Sequence, residues 1–189
     1  MPAPDPNPIG SLTRETGWVA GLAERDPAKP AFVAYASVRF SDLDPLGHVN
    51  NAIYVTYLEQ AAIDHAAALE LGQERLATLG GVFIARRHLI DFLRPARADD
   101  RLQIVTWIGE MHGARAIRFY EIERQPGATA TGWPRPDRRL KPGESLARFG
   151  DLILRARTDW AYVDPASGRP RRFPPDVLAV LPPASPPDE

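Results

Sequence analysis

Hydrophobic and polar positions change period along the chain, and the changes mark out its elements. Residues 32–41 (FVAYASVRFS) are rich in β-formers with imperfect alternation and predict a strand. From 51 to 71 the spacing becomes helical: Tyr54, Leu58, Ala61, Ala62, His65 and Leu69 recur every three or four residues, and Ile53 and Tyr57 widen the apolar surface. The β propensity of Tyr54 to Tyr57 leaves the first turn open to either reading, and Gly72 is the expected stop. Glu59, Asp64 and Glu70 are the only charges in that segment, so the helix is expected to be enclosed on most sides. After Gly80-Gly81, residues 82–93, 101–109, 115–124 and 152–163 read as strands. Leu102 and Ile104 alternate with Gln103, and Ile117 and Phe119 with Arg118, the pattern of a half-exposed antiparallel sheet. His112-Gly113 suits a hairpin loop. One long helix and a mostly antiparallel sheet make an α+β domain.

Proline sharpens these boundaries. The 189 residues contain 20 prolines, roughly twice the usual share. They cluster at positions 2 to 8, in 125–150 and from Pro174 onward, whereas 31–125 holds only Pro45 and Pro95. Proline lacks the N–H that helices and ladders need, so the ordered core is expected in the proline-poor stretch. This divides the chain into an N-terminal arm (1–30, with a short helix near Trp18 to Ala23), one domain over 31–175 with an insertion at 125–150, and a proline-rich tail at 176–189. No internal repeat is evident.

Composition removes several chemistries. There is no cysteine, which excludes disulfides, thiolate nucleophiles and cysteine-ligated metals. A formal net charge of −1 gives no sign of a polyanionic partner such as nucleic acid. No apolar run approaches the ~20 residues that span a bilayer, and the start MPAPDPNPIG has no signal-peptide pattern, so a cytoplasmic location without membrane attachment is expected. Metal-ligand clusters, phosphate-binding glycine loops and Gly-x-Ser-x-Gly elbows are absent, and neither a cofactor nor a metal is expected.

The chemistry is concentrated in 39–59, RFSDLDPLGHVNNAIYVTYLE. Asp44-Pro45-Leu46-Gly47 has type I turn residues at the first, second and fourth positions, directly before the helix. With His48-Val49-Asn50-Asn51 and Tyr54, this turn resembles the signature of the hotdog-fold thioesterases, the 4-hydroxybenzoyl-CoA thioesterase relatives and the plant acyl-ACP thioesterases. The resemblance extends through 32–124 and 152–175, and includes LIDFLRPA (89–96) and SGRPRRFPP (167–175). It implies an antiparallel sheet wrapped around one long helix, and hydrolysis of an acyl-CoA or acyl-ACP thioester without a cofactor. It places the Asp44 carboxylate at the thioester carbon, as nucleophile or as base for water, and the Asn51 backbone N–H at the developing oxyanion.

Other roles are less defined. His48 matches a plant-type position for substrate positioning or proton transfer, but Leu46 replaces the asparagine of that motif, so a structural histidine is the other reading. Glu59 lies where another hotdog branch keeps its catalytic carboxylate, and supports the site or makes an ordinary hydrogen bond. Asn50 and Asn51 suit helix capping, with substrate contact as the alternative for their side chains. Tyr54 and Tyr57 line an acyl pocket or the core. Arg86 and Arg87, with Arg94 and Arg97, meet the coenzyme A phosphates or form a solvated basic face. His65 and His88 read as structural.

Two other functions share this fold. Asp42 to His48 is similar to the Asp-x-Asn-Pro-Leu-His motif of enoyl-CoA hydratases, but the inserted Gly47 should break the pairing of His48 with Asp42. A non-catalytic acyl-CoA-binding protein is the third possibility, although 1–30 is too short and proline-broken for a helix-turn-helix. A single hotdog unit leaves sheet edges and a shallow groove, and in the family a second subunit completes the site. A homodimer or homotetramer is therefore expected.

Overall fold

A computed structural model describes residues 25–125 and 137–181. Most of the expected arm, including the segment from Trp18 to Ala23, lies outside them. Six strands form one antiparallel sheet: β1 (Ala31–Ser37), β2 (Val82–Phe92), β3 (Arg101–His112), β4 (Arg115–Gln125), β5 (Arg138–Leu140) and β6 (Asp151–Val163). Their order is β2-β6-β4-β3-β1-β5. Across one face lies α1 (Asn51–Ala68); α2 (Gln73–Thr78) and α3 (Pro175–Val180) are short. This is the hotdog arrangement, with the expected strand, long helix and four strands, to which β5 is added between β4 and β6.

The sheet supports α1 through two apolar clusters. Tyr54, Tyr57, Leu58 and Ala61 join Leu102, Ile104, Tyr120, Ile122 and Leu154 under the N-terminal half of the helix. Leu69, Leu71, Leu76, Ala116, Tyr162, Phe173 and Val177 form a second cluster beyond its C-terminal half. Between them crosses a polar row. His88 Nδ1 meets Thr158 Oγ1 at 2.9 Å, and Thr158 is cross-strand neighbour to Arg118. The Arg118 guanidinium in turn bonds Thr106 and His65.

Four expectations are corrected. The helix is buried along one stripe rather than on most sides, and Ile63 is 60% exposed. It also ends before Gly72. Glu70 takes φ 59°, and the N–H groups of Leu71 and Glu70 return to the carbonyls of Ala66 and Ala67. That is a Schellman stop with glutamate where glycine is usual, and Gly72 instead caps α2.

The sheet is not half-exposed at its centre. Residues 137–149 of the expected insertion return over its outer face, adding β5 beside β1 and packing Leu140 and Leu146 onto Val33, Val105 and Trp107. Arg148 fastens this cover by ion pairs to Glu121 and Glu123, both at 2.6 Å. Arg118, read from alternation as the outward residue between Ile117 and Phe119, is buried under α1. Finally, the tail boundary at 175 falls within packed chain, because Val177 and Leu181 of the α3 segment are buried in the second cluster.

Candidate active site

The chain approaching α1 is folded by its own carboxylates. After β1, a 3₁₀ turn at Phe40–Asp42 shortens the strand expected to reach 41. The Asp42 side chain drives this turn by accepting from the Arg39 N–H at 2.9 Å. It is 2% exposed, and it also receives the Arg39 guanidinium and the Tyr57 hydroxyl, the latter at 2.8 Å. Burial alone would raise its pKa, but these hydrogen bonds and the Arg39 charge outweigh burial and hold it below the usual value. Burial, with the bond to Asp42, drives the Tyr57 hydroxyl pKa upward, so Tyr57 remains a donor.

Asp44 has a different environment. The Gly47 N–H donates to its carbonyl at 3.0 Å, closing the expected Asp-Pro-Leu-Gly turn with Gly47 at φ 72°. Asp44 Oδ1 accepts from the N–H groups of Leu46 at 2.8 Å and His48 at 3.1 Å. Oδ2 has no hydrogen-bond partner among the described residues, and the residue is half-buried. The turn thus fixes the carboxylate through one oxygen and leaves the other for substrate or water.

The rest of the loop is held from two sides. Leu43 and Val49 bridge across it, and the Asn50 N–H donates to the Asp42 carbonyl. Opposite, the Val49 N–H bonds to the Ala96 carbonyl, while the Ala96 N–H donates to the Tyr54 hydroxyl at 3.0 Å. Arg124 steadies the 95–100 loop through Asp100, Asp151 and the Pro95 carbonyl. Pro95 follows the end of β2, as expected.

At the helix start, Asn50 is the N-cap and its Oδ1 accepts from Ala52. The side-chain oxygen is therefore committed to capping. Asn51 is the first helical residue and is exposed; its N–H has no partner among the described residues. That N–H sits at the positive end of an 18-residue helix, a suitable donor for an oxyanion.

The remaining candidates are dispersed. The half-buried His48 has an imidazole without a hydrogen bond among the described residues, and its connection to Asp44 runs through the backbone. The hydratase-like pairing of His48 with Asp42 is not formed, because the Asp42 carboxylate is engaged by Arg39 and Tyr57. Tyr54 and Tyr57 lie in the core with both hydroxyls hydrogen-bonded, the core alternative of their sequence reading. Glu59 is exposed on α1, about 12 Å of helix axis beyond Asn51. Arg86 and Arg87 are exposed on β2 at a bulge between Ala85 and Arg87. Among the described residues no group of three or more His, Cys, Asp or Glu could hold a metal.

Two features escaped the sequence reading. Asp42 organises the loop, yet it stands two residues from Asp44 with the same side chain, and its partner Tyr57 is fifteen residues away. The second is an open-mouthed cavity of about 540 Å³ along the C-terminal half of α1, lined by Ala62, Ala66, Phe83, Ile108, Arg118 and Trp160 among others. It lies within the range of small-molecule sites, ~300–1,000 Å³.

Comparison with known proteins identifies the family and the fold. Residues 38–181 match the family model of the thioesterase-like superfamily. The acyl-CoA thioester hydrolase YbgC of Shigella flexneri, like that of Escherichia coli O157:H7, is 31% identical over 142 residues, covering 75% of this chain and 89% of the relative. The 1,4-dihydroxy-2-naphthoyl-CoA thioesterase Slr0204 of Synechocystis has the same fold, with a TM-score of 0.62, 18% identity, and coverage of 80% of this chain and 95% of its own. A thioesterase of Thermus thermophilus complexed with coenzyme A and Zn superposes with a TM-score of 0.59 at 21% identity, over 79% of this chain and 90% of its own. The chain belongs to the thioesterase-like superfamily, and it is a thioester hydrolase. No helix among the described residues is long and apolar enough to cross a membrane.

Proposed function

We propose that this protein hydrolyses acyl-CoA thioesters, with Asp44 as the reacting carboxylate and the Asn51 N–H as the oxyanion donor. The observation that carries this reading is the Asp44 turn: one carboxylate oxygen is fixed by two backbone N–H groups and the other is open, on the loop that leads into a helix with an unused first N–H. The carbonyl carbon gains an oxygen from water, the C–S bond breaks, and the water's protons end on the thiolate and, by way of Asp44, in solvent. Asp44 either activates that water or first forms a mixed anhydride that water cleaves. Single turnover in ¹⁸O-water tests for the anhydride: label on Asp44 requires an anhydride cleaved at the Asp44 carboxyl carbon, whereas cleavage at the acyl carbon, like direct attack by water, puts the label in the acid product.

Arg86 and Arg87 are proposed to receive the coenzyme A phosphates, as exposed guanidiniums on the strand at one sheet edge. That edge has no strand partner among the described residues. We infer that two copies pair there in a homodimer, on which a tetramer can be built. The test is thiol release from a panel of acyl-CoA and acyl-ACP thioesters. Release with the acyl-CoA members, lost in Asp44→Asn, is expected; release with none of them overturns the reading. An active monomer by light scattering overturns the pairing.

A further inference from the structure

The cavity beside the C-terminal half of α1 has one feature that a purely hydrocarbon pocket would not. Its walls are mostly Ala, Ile, Leu and Phe side chains, yet Arg118 reaches them from the middle of the sheet at 6% exposure. Arg118 Nη1 bonds His65 Nδ1 at 2.9 Å and Thr106 Oγ1 at 3.2 Å, both neutral acceptors. His65 is kept neutral by burial and by the neighbouring Arg118 and Arg139 guanidiniums. Arg118 Nε and Nη2 have no hydrogen-bond partner among the described residues, and no carboxylate there pairs with the group. Trp160, on the same wall, has its indole N–H buried without an acceptor. A desolvated cation with spare donors, facing a cavity, is costly unless an anion completes it.

We propose that this cavity receives an apolar chain whose far end is a carboxylate bound by Arg118, which makes thioesters of dicarboxylic acids the favoured substrates. The proposal rests on the thioesterase reading for the reaction, but not for the anchor. The alkyl spacer lies against Ala62, Ala66 and Phe83, and the carboxylate takes the free donors of the guanidinium.

The cavity begins at Ala62, eleven residues or about 17 Å into the helix, so it is remote from Asp44 of its own chain. Antiparallel pairing of two β2 edges removes this difficulty. Val82 and Phe83, at the start of β2, line the cavity, whereas Phe92 at its end packs on Tyr54, close to the Asp44 loop. In such a dimer the start of one β2 meets the end of the other, and the cavity of one protomer lies beside Asp44 of its partner.

The experiment compares thiol release from the mono-CoA thioester of octanedioic acid with that from octanoyl-CoA, which has the same length and a methyl terminus. The dicarboxylic thioester should have a kcat/KM at least ~10-fold higher, and Arg118→Met should erase the preference, bringing the ratio of the two kcat/KM values to about one. Equal rates, or a preference that survives Arg118→Met, overturn the proposal. Calorimetry with free octanoate and with 1-octanol reads the anchor without turnover. Octanoate alone should bind, and its binding should be lost in Arg118→Met and in Ala66→Phe, which fills the cavity but keeps the charge. Equal binding of the two, or octanoate binding to Ala66→Phe, places the carboxylate elsewhere and overturns the proposal. If neither thioester is cleaved but octanoate binds through Arg118, the activity reading fails and the anchor stands.

Discussion

The two ends of α1 treat buried polar groups in opposite ways. At the N-terminal end the buried Asp42 carboxylate and Tyr54 hydroxyl are completed within the chain, Asp42 by Arg39 and Tyr57 and Tyr54 by Ala96. At the C-terminal end Arg118 has neutral partners and spare donors beside a cavity. A site that fixes the reacting atoms must be rigid before substrate arrives, because misplacement of about an ångström costs rate. A site that receives the remainder of a substrate can be left incomplete, since the ligand supplies the missing interaction. The contrast divides one hydrophobic core into a positioning half and an accepting half.

The largest expected break is at the open carboxylate. Asp44→Asn should lower kcat by about 10²–10⁴-fold while the melting temperature stays near that of the parent, because the amide oxygen can still accept from Leu46 and His48. Steady-state kinetics with thermal unfolding checks both halves. Asp42→Ala should act in reverse order. Loss of the buried acceptor strands the Tyr57 hydroxyl and frees the Arg39 turn, costing about 2–3 kcal/mol in urea unfolding, with activity falling as the loop loosens. If Asp42→Ala were as stable as the parent, the positioning half would not depend on that carboxylate.

Acid should weaken the other half. The pKa of His65 is lowered to about 2, first by burial and then by the Arg118 and Arg139 charges. The unfolded chain therefore binds one proton more below its ordinary value of 6.5, and the contribution is lost as pH falls through that value. Between pH 7.5 and 5.5 this group alone should remove about 1.4 kcal/mol of stability. His65→Gln keeps an acceptor for Arg118 and should flatten the slope by about one proton; an unchanged slope would put the titration elsewhere. The smallest expected effect is a gain. Glu70→Gly relieves a left-handed glutamate at the helix stop and should add about 0.5–1 kcal/mol, read as a higher urea midpoint.

Legibility in the sequence followed the range of the interactions. The Asp44 turn is written in four consecutive residues, and the strands in their alternation, so both were readable locally. The helix stop was not, because glutamate at positive φ has no compositional mark and the nearest glycine, Gly72, stands further along the chain, already capping α2. Alternation gave the two faces of β4 but not which of them the chain would cover. Residues 137–149 bury the outer face and α1 the inner, so Arg118 looked like a solvent residue until both layers were present. Asp42 was hidden for a related reason, since its role exists only once Tyr57 arrives from the first turns of α1.

The bulge in β2 has a consequence for insertions and deletions. Phe83 precedes it and packs into the second cluster, while Ile90 and Phe92 follow it and pack into the first, although they have opposite parity along the strand. The extra residue, Arg86, is what brings both sets onto one face. The centre of the strand therefore tolerates both substitution and loss of one residue: Arg86→Ala keeps the bulge, and deleting Arg86 leaves Phe83 and Ile90 six residues apart, so that regular pairing keeps His88, Ile90 and Phe92 on the inner face. Between relatives such a strand can differ in length by that one residue and still present the same wall to α1.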